Sequence, residues 1–155
     1  MLHVRGPLIS ALAVTACASA AGPAFAATAS PVPARALQAA QAFAQAHWGA
    51  TPCAGQIAIS WMTFPAGTNA TSTWNNPAGQ YADASSNTGC AIAFNVAVRW
   101  DWAKLCSVVT HEYGHLLGHA HSFVPTEVMY PYYLAPIAGC GQAGKPFRRN
   151  RTKAA

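Results

Sequence analysis

Apolar positions recur along this chain with two periods, and the switches between them mark out its elements. Between Ala34 and Trp48, the residues Leu37, Ala40, Phe43 and Ala44 fall on one face of a helix, and Gly49 follows as its stop. From Gln56 to Met62 the period drops to two, with Ile57, Ile59 and Trp61 on one side of a strand. The same alternation returns between Cys90 and Val98, through Ile92, Phe94, Val96 and Val98. Asp101 then stands where an N-cap is needed for a second helix reaching about Leu117. On that helix Trp102, Leu105, Cys106, Val109, Tyr113 and Leu116 form a broad apolar stripe suited to packing on a sheet. Residues 63–80 carry Pro65, Gly67, Asn69, Asn75-Asn76-Pro77 and Gly79, which is loop chemistry, with Trp74 expected to pin the loop to the core. Tyr81 to Ala84 reads as a short edge strand, and Asn87-Thr88-Gly89 as the turn into the next one. Two helices beside short strands predict an α+β fold with a small sheet.

Length and composition narrow this further. With 155 residues, one domain is the natural count, and 52% hydrophobic residues suffice for a core. Only 8% of residues are charged, which is low for a soluble domain. Part of that imbalance lies in residues 1–26, where Arg5 precedes an apolar run from Leu8 to Ala21 and then Ala24-Phe25-Ala26. Small residues at 24 and 26 predict a signal peptide cleaved after Ala26, and so a secreted protein. The run is too short for a membrane span. The competing reading is Val14-Thr15-Ala16-Cys17 as a lipobox, which would leave the chain lipid-anchored at the cell envelope through Cys17. Residues 27–33 read as a flexible lead-in, 34–144 as the folded domain and 145–155 as a basic tail.

The tail holds Lys145, Arg148, Arg149, Arg151 and Lys153, in a chain of formal net charge +5. A solvated tail is the plain reading, and contact with an anionic surface the sharper one. The exported context and the lack of a binding motif speak against nucleic acid.

Candidate chemistry concentrates in residues 111–121, which read His111-Glu112-x-x-His115-x-x-Gly118-x-x-His121. Residues four apart share a helix face, so His111 and His115 can offer two imidazole nitrogens to one metal ion. Gly118 can take the left-handed conformation that ends a helix and turns the chain back, carrying His121 in as a third ligand. Glu112 sits beside the first ligand, within reach of a water at the metal and outside the ligand set. Three protein ligands with one open position is the layout of a catalytic zinc site, here with one Zn2+ ion. An ordinary amphipathic helix can produce His-Glu-x-x-His by accident, but Gly118 and His121 are independent requirements. His119 would close the site if it were a fourth ligand, and is read as a cleft-side or surface residue. His47 is read as a surface or packing histidine.

The same stretch resembles the metzincin family of zinc endopeptidases, whose extended histidine motif is followed by a methionine turn. Ser122 directly after the third histidine, and Val128-Met129-Tyr130-Pro131 beyond it, resemble the matrixin branch. That resemblance covers residues 101–133 and implies a metzincin-like zincin fold: a small mixed sheet, an N-terminal helix, an active-site helix and a Met-turn. It implies that Met129 forms an apolar floor under the zinc and that Pro131 to Tyr133 line the pocket for the residue after the scissile bond. It also implies that an edge strand upstream of the zinc helix binds extended substrate, though not which strand. The Tyr that some branches place two residues after the methionine is Pro131 here, so no such role carries over. A cysteine-switch motif and an Asp/His-rich segment for structural ions are absent from the sequence.

With Cys17 removed, Cys53, Cys90, Cys106 and Cys140 remain, and an even count in an exported chain points to two disulfides with three pairings open. The expected pairing is Cys53–Cys90, tying the early strand to the central one, and Cys106–Cys140, tying the zinc helix to the segment after the Met-turn. The expected function is that of a monomeric zinc metalloendopeptidase hydrolysing polypeptide substrates, with Glu112 as general base. A non-catalytic zinc-binding surface protein, and a basic interaction protein acting through its tail, are the alternatives.

Overall fold

The computed structural model of the chain describes residues 29–141 together with 144, 146 and 147. The expected signal peptide, Cys17 and the basic residues of the tail lie outside the described residues. Among the described residues, no helix is long and apolar enough to cross a membrane.

The first helix, α1, spans Ala34–Trp48, and Gly49 ends it in the left-handed conformation at φ 63. Ala36, Ala40 and Ala44 are its buried residues, a ridge of small side chains that lets a second helix approach. Val32, in the expected lead-in, is buried in the same core. A 3-10 turn at Pro52–Gly55 leads to strand β1, Ala58–Met62. Strands β2, Ala70–Asn75, and β3, Thr88–Asn95, follow, and then helix α2, Trp102–Leu116.

The three strands form one sheet in the order β1-β3-β2. β1 runs parallel to β3, pairing Ala58 with Ala91 and Met62 with Asn95. β2 runs antiparallel, pairing Ala70 with Phe94 and Ser72 with Ile92, with an irregularity between Thr73 and Asn75. The sheet is therefore mixed, and the fold is α+β.

Three expectations need correcting here. The stretch 63–80 is not all loop, because β2 lies within it and carries Trp74. Its turn residues flank the strand, and Thr71 and Thr73 supply the β-branched alternation that a pleated edge favours. Conversely, Tyr81 to Ala84 is no strand. Asp83 accepts a bond from the Ser85 backbone N–H at 2.9 Å, and this local bond curls the chain into a 3-10 turn at Ala84–Ser86. The central strand also starts earlier and ends earlier than the alternation suggests. Asn95 stops it, its buried amide binding the Thr68 carbonyl at 2.7 Å while its side-chain oxygen accepts from the Ala97 N–H at 3.0 Å.

The core joins Ala40 and Ala44 of α1 to Ile92 and Phe94 of β3, and to Leu105, Val109, Tyr113 and Leu116 of α2. Asp101 caps α2 by accepting the Lys104 N–H at 2.8 Å. Trp102, expected in the apolar stripe, is instead exposed, since it occupies the first turn of the helix. Nearly every later residue of α2 is buried, so the helix is held on most of its circumference. Phe147, beyond the expected domain end, packs against the core and donates its N–H to the Trp100 carbonyl at 2.7 Å.

Disulfides join Cys53 to Cys90 and Cys106 to Cys140, closing loops of 37 and 34 residues. The second fastens α2 to the chain beyond residue 133. Gly114 marks the closest approach around α2. A Cβ there would meet Trp48 Cζ2 at 2.7 Å and overlap the Met129 sulfur. No side chain fits between them.

Two stability changes are expected from this packing. Replacing Cys106 and Cys140 together by Ala should lower the unfolding free energy by about 3–4 kcal/mol through the freed loop. Gly114→Ala should cost about 1–3 kcal/mol by overpacking. Urea unfolding followed by Trp fluorescence measures both, and an unchanged midpoint would contradict the assignment concerned.

Candidate active site

Three imidazoles converge where α2 ends. His111 and His115 lie one turn apart on the helix, and Gly118 at φ 88 turns the chain so that His121 comes back to them. The Nε2 atom of His115 lies 3.1 Å from that of His111 and 3.0 Å from that of His121. One ligand atom from each of the three falls within 4.8 Å of the others.

Each helix imidazole is oriented by its other nitrogen. His111 Nδ1 lies 2.7 Å from the Val128 carbonyl, and His115 Nδ1 lies 2.8 Å from the His119 carbonyl. A carbonyl has no proton to give, so both Nδ1 atoms must carry one. Burial holds the charge off these rings. It pushes His115 down to about 4, against the opposing bond to His119. It also pushes His111 below the usual histidine range, against the bond to Val128. Both rings are thus neutral with bare Nε2 atoms, and the short Nε2 contact between them has no proton to share. Such lone pairs repel unless a cation lies between them. A tetrahedral zinc site with bonds of ~2.05 Å spaces its nitrogens about 3.3 Å apart. The donor set, the protonation of the two helix histidines and the spacing therefore fit a zinc ion.

Glu112 stands outside that nitrogen cluster and lines the same cleft. Its side chain is 4% exposed, and burial pushes its carboxyl up to about 7, with the Ser72 hydroxyl pulling the other way. Ser72 donates to Glu112 Oε2 at 2.8 Å from across the cleft wall.

The segment after the histidines returns on itself. Ser122 donates its N–H to the Met129 carbonyl at 2.9 Å, and Ser122 Oγ donates to the Glu127 carboxylate. Met129 is buried against Gly114 of α2, beneath the stretch that carries the histidines. Pro131 and Tyr133 both line the cleft, which has a volume of about 700 Å³. The cleft wall is anchored to α2 at several points. Lys104 Nζ sits 4.9 Å from the centre of the Tyr133 ring, and Ser107 Oγ accepts the Ile137 N–H at 3.1 Å.

His119 is exposed, and its ring stacks on Trp48 at 4.4 Å between centroids, away from the nitrogen cluster. His47 is exposed beside Phe43 and Trp48.

Several contributors were not legible in the motif: Ser72, the Val128 and His119 carbonyls, and Trp48. Backbone carbonyls leave no sequence signal. Ser72 could have been noticed only by recognising Thr71-Ser72-Thr73 as a strand, whose inner face would then hold the serine.

No curated protein matches the chain. The matrixin family model, in contrast, matches residues 24–139, which is well over half of the sequence. Together with the histidine cluster and the small mixed sheet, that match places the chain in the matrixins, a family of zinc-dependent peptidases that act on polypeptides.

Proposed function

We propose that this protein is an exported zinc endopeptidase in which Glu112 serves as general base. One observation carries the reading. Three imidazole Nε2 atoms meet in a cleft, two of them bare, and a buried carboxyl lines the same cleft.

His111, His115 and His121 would hold the ion. Bound there, zinc would polarise a peptide carbonyl and make water more acidic. The Val128 and His119 carbonyls keep the two helix imidazoles in the tautomer that ligation needs. Glu112 accepts the proton of the attacking water on a carboxylate oxygen and returns it to the nitrogen of the leaving amine. Burial raises the proton affinity of its carboxyl, which favours taking a proton from water.

The substrate would lie along β2. This strand pairs only with β3 among the described residues, so its other edge is open, and Ala70, Thr71 and Ser72 line the cleft. An extended peptide can add to such an edge through backbone hydrogen bonds. Opposite it, Pro131 and Tyr133 would form the wall of a pocket that reaches Val108 and Ile137, apolar residues suited to an apolar side chain. Met129 would be the floor under the ion, and Gly118 the turn that delivers the third ligand. Export rests on the charge and apolar pattern of residues 1–26, and contact with an anionic surface on the tail charges. We read the enzyme as a monomer.

Cleavage of a quenched peptide library by oxidised residues 27–155 with zinc is the direct test. Activity should vanish with a chelator and return with zinc. Glu112→Gln should retain the ion and lose at least about 100-fold in kcat, whereas His121→Ala should lose the ion itself. Turnover surviving in Glu112→Gln would sink the proposed mechanism. For export, mass analysis of the mature protein should find Ala27 as the first residue. A lipid-modified Cys17 would replace secretion by anchoring at the envelope.

A further inference from the structure

Glu112 is fixed at its backbone by α2, yet the helix leaves its side-chain torsions free. What holds the carboxyl is a hydrogen bond from a different element. Ser72 Oγ, 40 residues earlier in the chain, donates to Oε2 at 2.8 Å. The alternation of β2 turns Ala70, Ser72 and Trp74 inward while Thr71, Thr73 and Asn75 are exposed. Of the inward three, Ser72 alone carries a hydroxyl. Its backbone is fixed in turn, paired in register with Ile92 of the central strand.

We propose that Ser72 is a positioning residue for Glu112, setting the direction in which the carboxylate faces the reacting atoms. This rests on the peptidase reading of the site. The bond occupies Oε2 and leaves the second oxygen outside it for the proton transfer. A buried carboxylate without a donor would turn toward whatever donor or solvent it could reach. Ser72 also belongs to the strand whose open edge would take the substrate backbone. One rigid element then sets both the register of the scissile bond and the direction of the base. A small misplacement of either group costs rate far more than binding.

The alternative is that Ser72 only satisfies a buried polar group and contributes stability. Thr and Val at position 72 separate the two, because they have the same shape and differ in the hydroxyl. Ser72→Thr should keep most of kcat. Ser72→Ala and Ser72→Val should each lower kcat about 10-fold with KM within about two-fold, as loss of an orienting partner does. Zinc stoichiometry should stay at that of the parent in all three. Crystal structures of zinc-loaded Ser72→Val and Ser72→Thr should show the Glu112 carboxyl displaced in the first and retained in the second. Equal kcat in the Val and Thr variants, or an undisplaced carboxyl in Ser72→Val, would overturn the proposal. Should the parent bind zinc but cleave nothing, the peptidase reading fails by itself. The carboxyl position in the Val and Thr structures still decides what Ser72 does.

Discussion

The site depends on two hydrogen bonds that orient two of its three imidazoles toward one another. Val128 and His119 each accept an Nδ1 proton, and in doing so they leave bare Nε2 atoms about as close as hydrogen-bonded partners. That arrangement is unfavourable in itself, since lone pairs of like charge face each other in a partly buried site. Packing must impose it. Much of the fold can be read as the means. α2 is buried on most of its circumference, so His111 and His115 cannot rotate away together. Trp48 at the end of α1 donates to the Thr110 carbonyl at 2.8 Å and stacks on His119, whose carbonyl orients His115. Gly114 lets Met129 and Trp48 close on the helix from outside. A cation placed between the nitrogens would turn this cost into a gain, which ties ion affinity to folding.

How much of this was legible depended on the range of each interaction. The histidine cluster could be read because its spacing is local, with three histidines and a turning glycine inside eleven residues. The cap at Asp101, the stop at Gly49 and the two helices were legible for the same reason. Two of the errors in the sheet came from turn chemistry. Pro65, Gly67, Asn75-Asn76-Pro77 and Gly79 dominate residues 63–80, and they conceal a six-residue strand whose own signal is only Thr71, Thr73 and Trp74. Tyr81 suggested a strand, but Asp83 bonds its own neighbourhood through Ser85 more readily than a ladder could form. The bond from Ser72 to Glu112 spans 40 residues and two elements, and no pattern along the chain encodes such a pairing.

Scarcity of charge gives each carboxylate a defined task. The four acidic residues are Asp83, Asp101, Glu112 and Glu127. Asp83 and Asp101 cap the first turns of helices, and Asp101 also accepts the Gly144 N–H at 3.2 Å, drawing the end of the domain onto α2. Glu127 binds Ser122 within the loop that follows the histidines. Three of the four thus meet donors from nearby backbone or side chains and shape local turns. Glu112 differs, because its donor is the side chain of a residue on the sheet, 40 positions away.

That difference bears on how a carboxyl behaves inside a core-like environment. Complete burial without a donor would favour the neutral acid, which cannot accept a proton. Full exposure would leave a carboxylate of ordinary acidity, a weak base near neutrality. Here burial raises the group while one hydroxyl from β2 partly offsets it, and the balance falls at about 7. The hydroxyl has a second effect that burial cannot supply, since desolvation has no direction and a hydrogen bond does. A site with few charges can then set both the proton affinity and the direction of its buried carboxyl with one helix and one strand.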